Sequence, residues 1–295
     1  MWGMKKLRKL IEEAEKKKIA IGHFNVGNLE QLKAVTHAAR KLDVPVIIGV
    51  SEGEREYFGL HHFRDLIASY NSEHGRPHGF WIYANADHTH SLEKVREAAR
   101  VGFHSILFDG GRLPFLENIR LTKQAVILAK SVNHEVLIEG ELGYIGSSSE
   151  ILEELPKGAA VMPGDLTTPE QALRFVEETG VDLLAPAVGN IHGMLKNAPN
   201  PRLDIPRIKI IRQVVKVPLV LHGGSGIRDE DFTAAIDAGI SIIHISTEIR
   251  AAWRKALEKS LKKHAHEVAP YKVMPEVIEE MEKVAAGRLR LFNKI

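Results

Sequence analysis

Short apolar, β-branched runs and amphipathic helical stretches take turns along this chain eight times over, and that rhythm restricts the folds open to it. The runs are "IAIGHFNV" (19–26), "VPVIIGVS" (44–51), "GFWIYANADH" (79–88), "HSILFDGG" (104–111), "EVLIEGE" (135–141), "DLLAPAVG" (182–189), "VPLVLHG" (217–223) and "SIIHIST" (241–247). They are nearly continuous in apolar residues, as a strand reads when both its faces are buried in a parallel sheet. Between them, "NLEQLKAVTHAARKL" puts Leu29, Leu32, Val35 and Ala38 on one helical face. "SLEKVREAARVG" opens on a Ser N-cap and closes at Gly102, and "TTPEQALRFVEETG" pairs a Thr cap with an early Pro and ends at Gly180. Alternation this even predicts an α/β fold, a (β/α)8 TIM barrel forming a single domain over residues 1–295. A doubly wound sheet is the alternative, but it seldom alternates so regularly. Leu7, Leu10, Ile11 and Ala14 at helical spacing predict an extra N-terminal helix, and residues 274–295 an extra C-terminal one.

The longest connection, "GYIGSSSEILEELPKGAAVMPGD", follows the fifth run and carries too many small and polar residues for a plain helix. It is expected to be a mobile active-site loop, with a plain surface excursion as the alternative. A net charge of +2 gives no footprint for nucleic acid. No apolar run approaches a membrane span, and the basic first helix lacks the apolar core of a signal peptide. The chain has no cysteine, so disulfides and thiolate metal sites are excluded and any metal falls to His, Asp or Glu. These features fit a cytoplasmic protein acting on a small molecule.

In such barrels chemistry gathers at the C-terminal strand ends. Those ends hold Asn25, Ser51, Asp87 with His88, Asp109, Glu139 and Glu141, His192, His222, and the segment His244, Ile245, Ser246, Thr247. Three imidazoles on separate strand ends, His88, His192 and His222, make the donor set of a catalytic divalent-metal site, most often zinc. A lone histidine there is more often structural; three reverse the balance. His61, His62, His74 and His78 lie in a polar connection and are assigned to solvent or local caps. "HGGSGI" (222–227) sits between a strand and a helix, where glycine N–H groups and the Ser225 hydroxyl suit a phosphate. The last two strands are where barrels frequently hold phosphate. No run carries a lysine near its C-terminal end, so electrophilic duty falls to a metal rather than a Schiff base.

At this point the motifs "FNVGNLE", "SEG", "DH", "FDGG" with "PFLEN", "EGELGYIG", "GNIHG" and "LHGGSG" together resemble the class II, zinc-dependent ketose-bisphosphate aldolases. The resemblance covers most of the chain. It implies His88, His192 and His222 as ligands of a catalytic Zn2+, and Asp87 as the acid/base. It implies a second divalent or monovalent cation at Asp109 and Glu139. Gly193, Gly223, Gly224, Ser225 and His244, Ile245, Ser246, Thr247 match the dihydroxyacetone-phosphate site, Ser51 lies near the aldehyde half, and Asn25 joins the substrate-binding set. The implied reaction is reversible cleavage of a ketose 1,6-bisphosphate, fructose 1,6-bisphosphate first, with tagatose bisphosphate or another phosphoketose as alternative. The implied context is carbohydrate metabolism and glycolysis, in a homodimer or homotetramer.

The chain departs from the family's usual pattern at Asn85, at Gly111, and most pointedly at His244, where an Asn commonly opens the last substrate segment. Below a pKa of about 6.5 an imidazole there is expected to act as a cation toward phosphate, with a tolerated swap that keeps the same hydrogen bond as the alternative. Two rivals stand beside the aldolase. A metal-dependent barrel hydrolase would use His88-Thr89-His90 as a His-x-His pair, but it would carry that pair on the first strand. A non-catalytic phosphometabolite-binding barrel would have no need of both the acid and the metal ligands.

Overall fold

The eight apolar runs become the eight staves of a closed parallel barrel. The computed structural model describes residues 6–72, 80–147 and 149–295. In chain order the elements are α1 (Leu7–Lys17), β1 (Ile21–Asn25), α2 (Leu29–Leu42), β2 (Val46–Val50), α3 (Glu52–Phe58), α4 (Leu60–Ser72), β3 (Ile82–Thr89), α5 (Leu92–Val101), β4 (Ser105–Phe108), α6 (Phe115–Val132) and β5 (Leu137–Leu142). Then come β6 (Ile151–Leu152), α7 (Pro169–Thr179), β7 (Leu183–Pro186), β8 (Met194–Leu195), α8 (Ile205–Val214), β9 (Leu219–Leu221), α9 (Asp229–Ala238), β10 (Ile240–Ile245), α10 (Thr247–Lys263) and α11 (Pro270–Asn293). Around the ring the order is β1, β2, β3, β4, β5, β7, β9, β10 and back to β1. The (β/α)8 barrel with added terminal helices is therefore the fold.

Local chemistry sets the helix ends as expected. Asn28, Ser91 and Thr168 accept N–H bonds at the starts of α2, α5 and α7, and Gly102 and Gly180 end α5 and α7 in left-handed backbone. The C-terminal helix starts earlier than residue 274, at Pro270, whose fixed φ suits a first helical turn. His61 and His62 lie exposed on α4, while His74 and His78 fall outside the described residues. No helix among the described residues is long and apolar enough to cross a membrane.

Strand residues alternate in facing. Outward side chains such as Phe24, Ile48, Ala84, Ile106, Leu184 and Ile243 join the large core beneath the helices. Inward, Ile21, Ile47, Tyr83, Leu137, Val220 and Ile242 form an apolar floor, plugged from below by Leu7, Ile11 and Ala14 of α1. Two residues further up the same strands the interior turns polar: His23, Asn85, Glu139, His222 and His244 are all buried. Gly49 belongs to that tier because a Cβ there would lie 2.2 Å from the His23 ring.

The long connection after β5 does not run free over its whole length. Its β6 pairs in parallel with β8, through Ile151 with Met194 and Leu152 with Leu195. That pairing places Ser147 and Ser149 on the wall of the cavity described next.

Candidate active site

A cavity of about 410 Å3 opens at the C-terminal mouth of the barrel. Asn25, Ser51, Asp87, His88, His192 and His222 line it, as do Asp109, Gly193, Gly223, Ser225, His244, Ser246 and Thr247. Thirteen of the sixteen residues given a metal, catalytic or substrate role in the sequence thus meet in one place. The cavity wall holds Arg250 and, among the described residues, no lysine.

Consecutive strand residues point to opposite faces, so Asp87 and His88 reach one cavity only if the strand bends. It does. Pairing of β3 with β4 runs Ala86 with Ile106 and then Thr89 with Phe108, which leaves one extra residue on β3. That is a β-bulge, and within it His88 has φ 41°, left-handed backbone unusual for a residue with a Cβ.

The three histidines each have one ring nitrogen engaged from behind. Nδ1 of His88 lies 2.8 Å from Asp109 Oδ2, and Nδ1 of His192 lies 2.7 Å from the Gly146 carbonyl oxygen. Nε2 of His222 lies 2.6 Å from Glu139 Oε1. Protons on those nitrogens leave His88 Nε2, His192 Nε2 and His222 Nδ1 as lone pairs, as in metal-binding imidazoles whose other nitrogen donates to a carboxylate or carbonyl behind the ring. The three rings offer ligand atoms within 4.8 Å of one another. His222 Nδ1 is buried without a hydrogen-bond partner, as an inward-facing ligand atom would be before it meets an ion. Donor chemistry and geometry fit a divalent metal. Asp109 and Glu139, assigned by resemblance to a second cation, here each place an oxygen on the outer ring nitrogen of one of these histidines. His88, Asp109 and Glu141 do form a further group of close donors.

The electrostatics ask for a cation. Burial, then the Asp87 charge, raises Glu139 to about 8, and burial with Asp109 raises Glu141 well above the usual carboxylate value. Burial pushes His222 to about 4 and, with His88 and His222 adding to it, His192 to about 3, so both stay neutral. Burial opposes a charged His88, yet Asp87, the bond to Asp109 and Glu141 together raise it to about 10. A positive charge at His88 Nε2 is what the carboxylates favour, and a metal ion supplies one without a proton. Burial would raise Asp87, but His88, His23, His222 and the Asn25 hydrogen bond outweigh it and hold the carboxyl ionised. Asn25 Nδ2 donates to Asp87 Oδ2 at 2.8 Å.

At the other side of the mouth the glycine turn and the start of α10 meet. Gly223 has φ 61°, and a Cβ there would lie 2.2 Å from the Ile191 carbonyl oxygen, so both conformation and space demand glycine. The Ser225 hydroxyl accepts from Ser246 N and Glu248 N at 3.2 Å, which ties the turn to the helix N-terminus. Ser246 Oγ remains buried without a partner.

Two expectations need correction. The Ile245 side chain faces outward into the core under the helices, because it alternates with inward His244. The Gly224 N–H donates to the His244 carbonyl at 3.0 Å, so it is spent on packing the turn and not on a ligand. Glu139 stands behind His222 and outside the cavity lining, where its carboxylate forms a further group of close donors with His222 and His244. His244 also differs from the cation expected on the acid side. Burial, then the imidazoles of His222, His23, His88 and His192, pushes it well below the ordinary histidine value. Its ring stacks on His23 with centroids 3.4 Å apart and planes 6° from parallel. In-plane lone pairs of rings so stacked cannot converge on one ion, although His23, Asp87 and His244 carry donors close together.

Sequence reasoning missed His23, Glu54 and Arg250. His23 hides inside an apolar run, while "SEGE" carries the capping-box spacing that places Glu54 on the Ser51 N–H at 2.8 Å. Arg250 Nη2 bonds Glu54 Oε1 at 2.6 Å.

The family model described as Fructose-bisphosphate aldolase class-II matches residues 5–295. A curated relative named fructose-bisphosphate aldolase, from Geobacillus stearothermophilus, is 34% identical over 97% of this chain and 96% of its own. Among solved structures, the YdjI aldolase from Escherichia coli K12 is 32% identical with TM-score 0.78, covering 98% of this chain and 97% of that one. A putative fructose-1,6-bisphosphate aldolase from Coccidioides immitis is 26% identical with TM-score 0.81, covering 97% and 96%.

Proposed function

The chain belongs to the class-II fructose-bisphosphate aldolase family and is an aldolase, a carbon–carbon lyase; from that premise we propose that it reversibly cleaves fructose 1,6-bisphosphate to dihydroxyacetone phosphate and glyceraldehyde 3-phosphate. The observation that carries this reading is the bulge at His88, which gives one cavity both an ionised carboxylate and three convergent imidazoles. His88, His192 and His222 would hold a divalent ion, zinc by donor type, which as a Lewis acid stabilises negative charge developing at the ketone oxygen.

The protein's own groups do the rest. Asp87 removes the proton of the C4 hydroxyl as the C3–C4 bond breaks and returns it in condensation. Asn25 keeps that carboxylate aimed by holding Oδ2, which leaves Oδ1 free to work. Asp109 and Glu139 fix the tautomers of His88 and His222. Gly193, Gly223, Ser225, Ser246 and Thr247 gather the three-carbon phosphate at the α10 N-terminus, and Ser51 faces the aldehyde half. We read the protein as one barrel domain over residues 1–295, acting in the cytoplasm in glycolysis as a homodimer or homotetramer. The family resemblance supports that context.

The test is a panel of ketose mono- and bisphosphates, read by released dihydroxyacetone phosphate. Fructose 1,6-bisphosphate should lead the panel; chelation should abolish release and zinc restore it. A lysine adduct trapped by borohydride with dihydroxyacetone phosphate, or a panel without turnover, overturns the reading.

A further inference from the structure

We propose that Arg55 is the positioning residue that holds the turn at His88 and so aims Asp87 and His88 into one cavity. The inference rests on the roles proposed above for those two residues. Left-handed backbone is disfavoured wherever a Cβ is present, so the neighbours of His88 must hold it there. Arg55, in the last turn of the short helix α3, is 5% exposed and reaches the strand end with a forked guanidinium. Its Nη1 donates to the Val50 carbonyl at 2.8 Å and to the Asp87 carbonyl at 3.0 Å. Its Nη2 donates to Thr89 Oγ1 at 3.1 Å. The bonds therefore bracket His88 from the residue on either side of it. Glu52, one turn back on α3, takes the His90 N–H at 2.9 Å and lies 4.0 Å from Arg55 Nη2. Backbone and side-chain groups of residues 87, 89 and 90 are gripped by one helical turn, and His88 rotates inward between them.

The same turn steadies the carboxylate. Glu54 Oε2 and Asp87 Oδ2 both accept from Asn25 Nδ2, at 3.3 and 2.8 Å. Thus α3 sets the Asp87 main chain through Arg55 and its side chain through Glu54 and Asn25. A lysine in place of Arg55 keeps the charge but has no planar fork to span a carbonyl on one side of His88 and a hydroxyl on the other.

The experiment compares wild-type and Arg55→Lys holoenzymes for kcat, KM and zinc affinity, and their cobalt-substituted forms by visible absorption. The expected result is a kcat lower by roughly 10- to 100-fold, with weaker metal binding and a displaced cobalt band. KM should stay within about threefold, since the substrate contacts are elsewhere. Guanidinium added to Arg55→Ala should recover part of the lost kcat and leave the wild type unchanged. A lower Tm with unaltered kcat and cobalt spectrum makes Arg55 a packing residue only and overturns the proposal. Should Arg55→Lys fail to fold, Thr89→Val, which removes one acceptor of the fork at constant shape, is read the same way. A displaced cobalt band with a kcat drop of about 3- to 10-fold supports the clamp, and an unchanged spectrum and kcat refute it. Wild type without any carbon–carbon cleavage sinks the functional reading instead, and the cobalt band still reports whether Arg55 sets His88.

Discussion

At the floor of the barrel, Ile21, Ile47, Tyr83, Leu137, Val220 and Ile242 pack against Leu7, Ile11 and Ala14 of α1. Two residues higher on the same strands stand His23, Gly49, Asn85, Glu139, His222 and His244, and above them Asn25, Ser51, Asp87 and Glu141. The floor satisfies itself. The mouth leaves His23, Asp87, Glu141, His222, His244 and Ser246 with buried polar atoms lacking partners. Each such atom costs roughly 1–3 kcal/mol if nothing arrives to meet it. A closed parallel barrel tolerates this because apolar burial at one end and beneath the helices offsets the cost of unpaired polar groups at the other. The two ends should therefore answer mutation and pH differently.

Removing a ligand at the mouth should give the largest effect. His222→Ala should fail to retain stoichiometric zinc, and turnover should fall by at least about 10^3-fold, because the Lewis acid contributes several kcal/mol. The fold should persist by circular dichroism. An equally active His222→Ala would erase the functional distinction between the ends.

The floor should show the converse. Ile47 is buried in the lower cluster, so Ile47→Ala should lose about 2–4 kcal/mol of stability in denaturant melts. Metal content should be unchanged and kcat within about twofold of wild type at a temperature where both are folded. A fall in kcat matching that of a ligand variant would mean the floor and mouth are not separable.

The smallest predicted effect is in acid. His104, at the start of β4, accepts the Ala84 N–H on Nδ1 at 2.9 Å, and burial followed by Arg64 lowers it to about 4. Its folded pKa lies below the unfolded value near 6.5, so the unfolded chain binds the proton first. Stability from this group is complete above about pH 6.5 and is lost as the pH falls toward 4. His104→Asn keeps an acceptor without a titration, and it should remove on the order of 1–2 kcal/mol of that acid-side loss. Identical slopes for both proteins between pH 6.5 and 4 would exclude the effect.

How much of this was legible in the sequence follows the same division. Most outward and floor residues of the strands are apolar, so all eight runs declared themselves, and the rhythm of caps and glycines supplied the barrel. His88, His192 and His222 were legible because each follows or ends such a run. What stayed hidden depends on register. Which acceptor stands behind each ring nitrogen, Asp109, Gly146 or Glu139, follows from strands far apart in sequence. The bulge at His88 has no residue signature, since its left-handed φ falls on a histidine rather than a glycine. His23 and His244 are separated by most of the chain, yet they are direct partners in the β1–β10 ladder, and only that pairing makes them stack. Ile245 was misplaced for a simpler reason: a segment chosen as a block ignores that alternate residues face opposite ways.

In the proposed mechanism Asp87 moves a proton while His88, its neighbour in sequence, holds the metal. Metal stoichiometry and single-turnover cleavage of Asp87→Asn, measured on one preparation, test it most directly. The account predicts full zinc occupancy with cleavage slower by roughly 10^2- to 10^4-fold, the loss of a positioned general base. Loss of zinc from Asp87→Asn would place the carboxylate in the coordination shell, and full zinc with undiminished cleavage would give the proton to another group; either result contradicts the account.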